Sequence, residues 1–140
     1  MAKRLSIIAA LLVFALGFAC SENNEPFNPE YKRDGKVSIF NQSGVKIRLL
    51  EFTQIRGEEQ AEEVLNRTIN SGFRYYLKNI LDGGDSDIFK GGDVVIVHFR
   101  ADVHMPGDPS QPLFENTITH SINGITEYYV KSGGRFTVQP

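Results

Sequence analysis

His98, Arg100, Asp102 and His104 occupy every second position of the stretch VHFRADVHM, so on a strand they share one face. Imidazole and carboxylate groups ligate zinc or copper when they converge within about 2.0–2.2 Å of the ion. Neighbours on one strand face lie roughly 6.6–7 Å apart, which puts His98 and His104 about 20 Å from each other. They cannot share one ion. His98, Asp102 or His104 would each need ligands from other strands, with His120 as one source. The expectation is a polar outer face with cross-strand ion pairs, and neither a metal nor a cofactor.

Asp82, Asp85, Asp87 and Asp93 crowd a turn-rich stretch, DGGDSDIFKGGD, and carboxylates on loops are the ordinary ligands of calcium. The calcium-loop spacing fails, because Phe89 follows Asp85 and Asp87 where a further Asp or Asn belongs. A turn made polar for solubility is expected instead. The glutamate pairs 58–59 and 62–63 lie in a charge-rich run where no burial would tune them for acid–base work. The chain contains no GxSxG and no HExxH, and its single cysteine lies far from any histidine. Asn66-Arg67-Thr68 matches a glycosylation sequon, a match expected by chance. No catalytic residue is assigned. A formal charge of −2 with no Lys/Arg cluster argues against a nucleic-acid partner.

Strands must position these side chains. KVSIFNQSGVKIRLLEF reads as two strands, with Val37 and Ile39 alternating in the first and Val45, Ile47 and Leu49 in the second. Asn41 to Gly44 has the composition of a hairpin loop. GEEQAEEVLNRT is ambiguous: helical spacing of Ala61, Val64 and Leu65 competes with a loop leading into a strand. Phe73, Tyr75 and Leu77 alternate again, through Asn79. The clearest period-2 signal is VVIVHFRADVHM, with Val95, Val97, Phe99, Ala101, Val103 and Met105 on one face. PGDPSQP reads as loop. Asn123-Gly124 between Ile122 and Ile125 predicts a two-residue type I′ hairpin, in which His120 faces Glu127 and Ile118 faces Tyr129. A last turn at Ser132-Gly133-Gly134 leads into RFTVQ. About seven short strands joined by turns predict an all-β fold with at most one short helix: an antiparallel β-sandwich, Ig-like, or a partly open barrel.

The N-terminus reads differently. Lys3 and Arg4 precede Leu5–Phe18, 14 uncharged and mostly apolar residues. That suits a secretory core of about 7–15 residues and falls short of the roughly 20 a spanning helix needs. Leu16, Gly17, Phe18 and Ala19 lead into Cys20, and this junction resembles a bacterial lipobox, with Gly17 where a leucine is usual. The resemblance implies cleavage before Cys20 and a diacylglycerol on its thiol. An exported chain with one cysteine has no intrachain disulfide use for it. Two or three acyl chains, at about 0.8 kcal/mol per buried CH₂, hold a protein firmly on a bilayer. Ser21 directly after the cysteine resembles the outer-membrane sorting signal of Gram-negative lipoproteins. The expected organisation is a signal peptide over 1–19, a lipidated cysteine and polar tether over 20–35, and a β-domain over 36–140.

Two family resemblances extend over the domain. VSIFNQSGVKIRLLEF, IFKGGDVVIVHF and the closing FTVQ together resemble small uncharacterised Gram-negative lipoproteins with a β-sandwich. That likeness implies location and fold, the cell envelope with a membrane anchor, and nothing about a substrate; a protein or glycan partner is expected separately. SGFRYYLKNILDGGDSDIFKGGDVVIVHF is similar to the opening of FKBP-type peptidyl-prolyl isomerases. Phe99 would then stand for their pocket tyrosine and Phe114-Glu115 for their Phe-Asp pair. The family's Val-Ile-Pro…Trp floor has no counterpart between Asn116 and Gly134, and the chain ends at Pro140, before the family's last aromatic strand. A twisted prolyl amide needs a pocket that strips water from it. A non-catalytic binding or structural module is therefore expected, with the isomerase as the alternative.

Overall fold

The structure, a computed structural model, describes residues 31–139. The signal peptide, Cys20 and the tether as far as residue 30 lie outside the described residues. The fold is all-β. Its strands are β1 (Gly35–Asn41), β2 (Ile47–Arg56), β3 (Glu59–Ile69), β4 (Arg74–Tyr76), β5 (Ile88–Phe89), β6 (Val94–Ala101), β7 (His104–Met105), β8 (Asp108–Pro112), β9 (Glu115–Ser121), β10 (Thr126–Val130) and β11 (Phe136–Gln139). One sheet runs β11-β10-β1-β4 with β5 also on β1, the second runs β3-β2-β6-β9, and β7 and β8 form a separate ribbon. Neither main sheet closes into a barrel. The pairs are antiparallel except β1 with β10, which run parallel. Among the described residues no helix is long and apolar enough to cross a membrane.

Both sheets turn one side to a single core. Val37 and Ile39 of β1, Tyr128 and Val130 of β10, and Phe89 of β5 meet Ile47, Leu49 and Phe52 of β2 and Val95, Val97 and Phe99 of β6. Phe52 and Phe89 bridge the sheets edge to face at 6.0 Å. The alternation read for β6 holds as far as Ala101: Val95, Val97, Phe99 and Ala101 are buried. It stops there: Asp102 and Val103 form a bend, and Met105 is exposed on β7. Pro106-Gly107 reverses the chain so that β8 pairs back on β7, which places a strand inside the stretch expected to be loop.

The two predicted hairpins are crossovers. β1 and β2 belong to different sheets, and so do β9 and β10. A type I′ turn needs positive φ at both central residues. Gly124 has φ 93°, but Asn123 has no positive φ, so the chain passes from sheet to sheet instead. His120 consequently meets Tyr128 across the core edge, not Glu127 across a ladder. At the other crossover the Asn41 side chain replaces the missing ladder bonds.

The ambiguous segment is strand β3, paired with β2 along its length. It is a sheet edge and almost wholly exposed, and its glutamates suit that place because charge on an edge discourages pairing with other chains. Leu50 forms a bulge in β2, opposite Leu65 and Asn66 of β3. The extra residue inverts the alternation, so Ile47 and Leu49 point inward before it and Phe52 and Gln54 after it. Composition draws the domain boundary at Lys36, but the hydrogen-bonded framework also takes in Arg33, Asp34 and Gly35. Arg33 N donates to Asn123 Oδ1 at 3.0 Å, and Gly91 N donates to Asp34 Oδ1 at 2.7 Å.

Candidate binding face

The outer side of the five-stranded sheet carries aromatic and charged side chains in register. Alternation turns Ser38 and Phe40 of β1 outward, because Val37 and Ile39 are held in the core. Ser38 lies between Tyr76 and Glu127, and Phe40 between Arg74 and Tyr129. The two rows continue to Gln139 and Thr137 of β11. Tyr76 is half exposed, at 49%, so its ring is available to a ligand.

Pairing fixes this surface. The Arg74 guanidinium forks onto Glu127, through Nε to Oε2 and through Nη2 to Oε1 at 3.3 Å. Ser38 Oγ donates to the same carboxylate at 2.8 Å. Arg74 also lies over the Phe40 ring, 4.6 Å from its centroid, and Phe40 meets Tyr129 edge to face at 5.7 Å. The Lys131 ammonium lies over the Tyr129 ring, 5.5 Å from its centroid. The bonds from Arg74, then those from Ser38 and Tyr129, hold the Glu127 carboxyl below its ordinary range. The same carboxylate raises the Tyr129 phenol. A cleft of about 470 Å³ runs across this face, lined by Lys36, Ser38, Tyr76, Glu127 and Tyr129 among others. It offers ring surfaces with donors and acceptors of both signs beside them.

The residues singled out in the sequence lie elsewhere and apart. His98, on the outer side of the other sheet, pairs with Glu115 of β9 and lies 3.6 Å from Glu51 of β2. Asp102 pairs with Arg48 at 3.2 Å. His104 lies on the β7–β8 ribbon, and His120 accompanies Tyr128. Among the described residues no three His, Cys, Asp or Glu side chains stand where they could hold a metal ion. The aspartate turn is organised by an internal cation. Arg56 bonds Asp93 at 2.9 and 3.0 Å and Asp82 at 3.1 Å through two nitrogens, while Asp87 pairs with Lys36. Glu58, Glu59, Glu62 and Glu63 are exposed on and beside β3. The sequon residue Asn66 sits in the bulge with φ 47°, its side-chain oxygen bound by Arg48.

Of the residues carrying the isomerase resemblance, Phe99 is fully enclosed in the core, Phe114 is half-buried and Glu115 is committed to His98. Cys20 lies outside the described residues. Nothing in the sequence singles out Arg74 or Tyr76, and Glu127 and Tyr129 enter it only as partners in the expected hairpin. The usable signal was the position of Phe40, on the outward phase of a strand whose inward phase is Val37 and Ile39. Neither a family model nor a curated protein matches the chain.

Proposed function

We propose that this protein is a lipid-anchored β-sandwich of the bacterial cell envelope that binds a glycan, without catalysis, on the outer face of its five-stranded sheet. One observation carries the reading: two tyrosine rings set among fixed polar groups in an open cleft of about 470 Å³. Aromatic faces supply apolar contact to the C–H side of a sugar, and Glu127, Lys36 and Gln139 supply hydroxyl partners. The centre of a protein–protein interface is depleted of lysine and glutamate, whereas Lys36 and Glu127 both stand on this face. A hydroxyl-rich polymer suits it better. The anchor rests on the Lys3-Arg4 start, the apolar run and the lipobox-like junction at Cys20.

Electrophoresis of the full chain through gels containing envelope polysaccharide tests the binding. The wild type should be retarded. Tyr76→Ala and Tyr129→Ala should each bind about tenfold more weakly, the loss expected for one aromatic contact of about 1.4 kcal/mol. Equal retardation of all three chains would exclude this face. The anchor has a separate test, growth of cells with a clickable fatty acid. Label should enter the wild type and not Cys20→Ser; an unlabelled wild type would remove the lipid from the proposal.

A further inference from the structure

A second cleft, of about 450 Å³, opens where β9 crosses to β10. Lys32, His120, Ser121, Asn123, Thr126 and Val138 line it, and none of them is acidic. The volume falls within the roughly 300–1,000 Å³ of small-molecule sites.

Its donors are oriented by bonds made behind them. The Asn123 carbonyl oxygen accepts from Arg33 N at 3.0 Å, which leaves the amide nitrogen as the group to offer. Tyr128, with no exposed surface, places its hydroxyl 3.1 Å from His120 Nδ1. Burial raises the Tyr128 phenol, so it keeps its proton and has one to donate. We assign Nδ1 as the acceptor of that proton, which puts the imidazole hydrogen on Nε2. Burial first, and the Lys32 charge second, lower the His120 pKa and keep the ring neutral near pH 7. The Lys32 backbone is itself fixed, because its carbonyl oxygen lies 2.0 Å from where a Cβ on Gly91 would stand, a close approach only glycine permits.

We propose that this cleft binds a small monoanionic carboxylate, held by the Lys32 ammonium, the Asn123 amide N–H and His120 Nε2–H, with its apolar end against Val138. Thr126 is not part of that cradle, since its hydroxyl donates to Gly124 O at 3.1 Å. One cation with two neutral donors matches a single negative charge. A phosphate dianion would want further cations or a nest of backbone N–H groups. The site is separate from the glycan face and does not depend on it.

The test is a titration of the ¹⁵N-labelled full chain in detergent micelles with propionate at neutral pH and constant ionic strength. Resonances of His120, Asn123 and Val138 should shift and saturate. Lys32→Met keeps the aliphatic stem and should weaken binding about tenfold, the order of one charge-assisted hydrogen bond. Asn123→Asp keeps the acceptor for Arg33 N but places a carboxylate in the cleft, and should abolish binding. Dispersed spectra of both variants certify their folds. Absent saturation, or unchanged affinity in Lys32→Met, overturns the site. Tighter saturation by inorganic phosphate than by propionate overturns the carboxylate assignment.

Discussion

Replacing Arg56 by alanine lowers the unfolding free energy by about 3 kcal/mol, near the lower end of the range for stranding one partner of a buried ion pair. Asp93 is the stranded partner: its side chain is 1% exposed and accepts two bonds from the guanidinium. The lower end applies because the Arg56 side chain is 28% exposed, so water partly replaces it. The loss spreads through a network. Gln54, fully buried, donates to Asp93 at 2.8 Å and to Asn79 at 3.0 Å, while its oxygen receives Ile80 N and Leu81 N. Arg56→Lys keeps the charge but lacks the fork that reaches two carboxylates, so it restores only part of the stability.

A pH series adds a readout that packing alone would not move. The bond from Arg56, chiefly, holds the Asp82 carboxyl below its usual value. A carboxyl lowered in the fold contributes stability that is present above the unfolded pKa of about 3.9 and is lost as pH falls through the folded value. Arg56→Ala should therefore show a shallower loss of melting temperature on acidification than the wild type. Identical acid profiles would contradict the assignment.

Asn41→Ala costs about 3 kcal/mol, from a buried backbone N–H left without a partner, at about 1–3 kcal/mol, together with the further hydrogen bonds lost. Asn41 has no exposed surface. Its Nδ2 donates to Val45 O and Ile69 O, both at 2.8 Å, and its Oδ1 accepts from Ser43 N at 2.9 Å and Ser43 Oγ at 2.7 Å. Ser43 Oγ still reaches Val45 O after the substitution, but Ser43 N is orphaned and Ile69 O loses its side-chain donor. Asn41→Asp is nearly isosteric yet turns a carboxylate toward two carbonyl oxygens, so it should be no more stable than the alanine variant. Urea unfolding of the full chain in detergent reads both, as a lower midpoint at unchanged slope. A wild-type midpoint in either variant would show that Asn41 does not hold the crossover.

These two residues mark where the sequence was legible and where it was not. The inward faces of β1 and β6 follow from period-2 alternation, because Val37, Ile39, Val95, Val97 and Phe99 leave only one way to bury apolar area. Sheet membership does not follow. Asn41–Gly44 and Asn123-Gly124 have the composition of hairpin turns, and polar turn residues look alike whether strands pair or part. The backbone of Asn123 and the side-chain bonds of Asn41 decide the matter, and both depend on partners distant in sequence. The bulge at Leu50 is hidden for a similar reason, since LL followed by EF fits either phase. β3 was ambiguous because glutamates suit both a helix N-terminus and a guarded sheet edge. The histidines drew attention as potential ligands, but the fold gives each its own neighbour. The tyrosines of the binding face are not distinguished in the sequence, because an aromatic on a strand can face either side until register fixes it.

The most direct test of a glycan-binding face is to map it. The ¹⁵N-labelled full chain in micelles would be titrated with soluble oligosaccharides released from envelope polysaccharide. Saturable shifts clustered on Ser38, Arg74, Tyr76, Glu127 and Tyr129, and lost in Tyr129→Ala, are the predicted result. Shifts confined to the β3-β2-β6-β9 sheet, or none at saturating sugar, would contradict it.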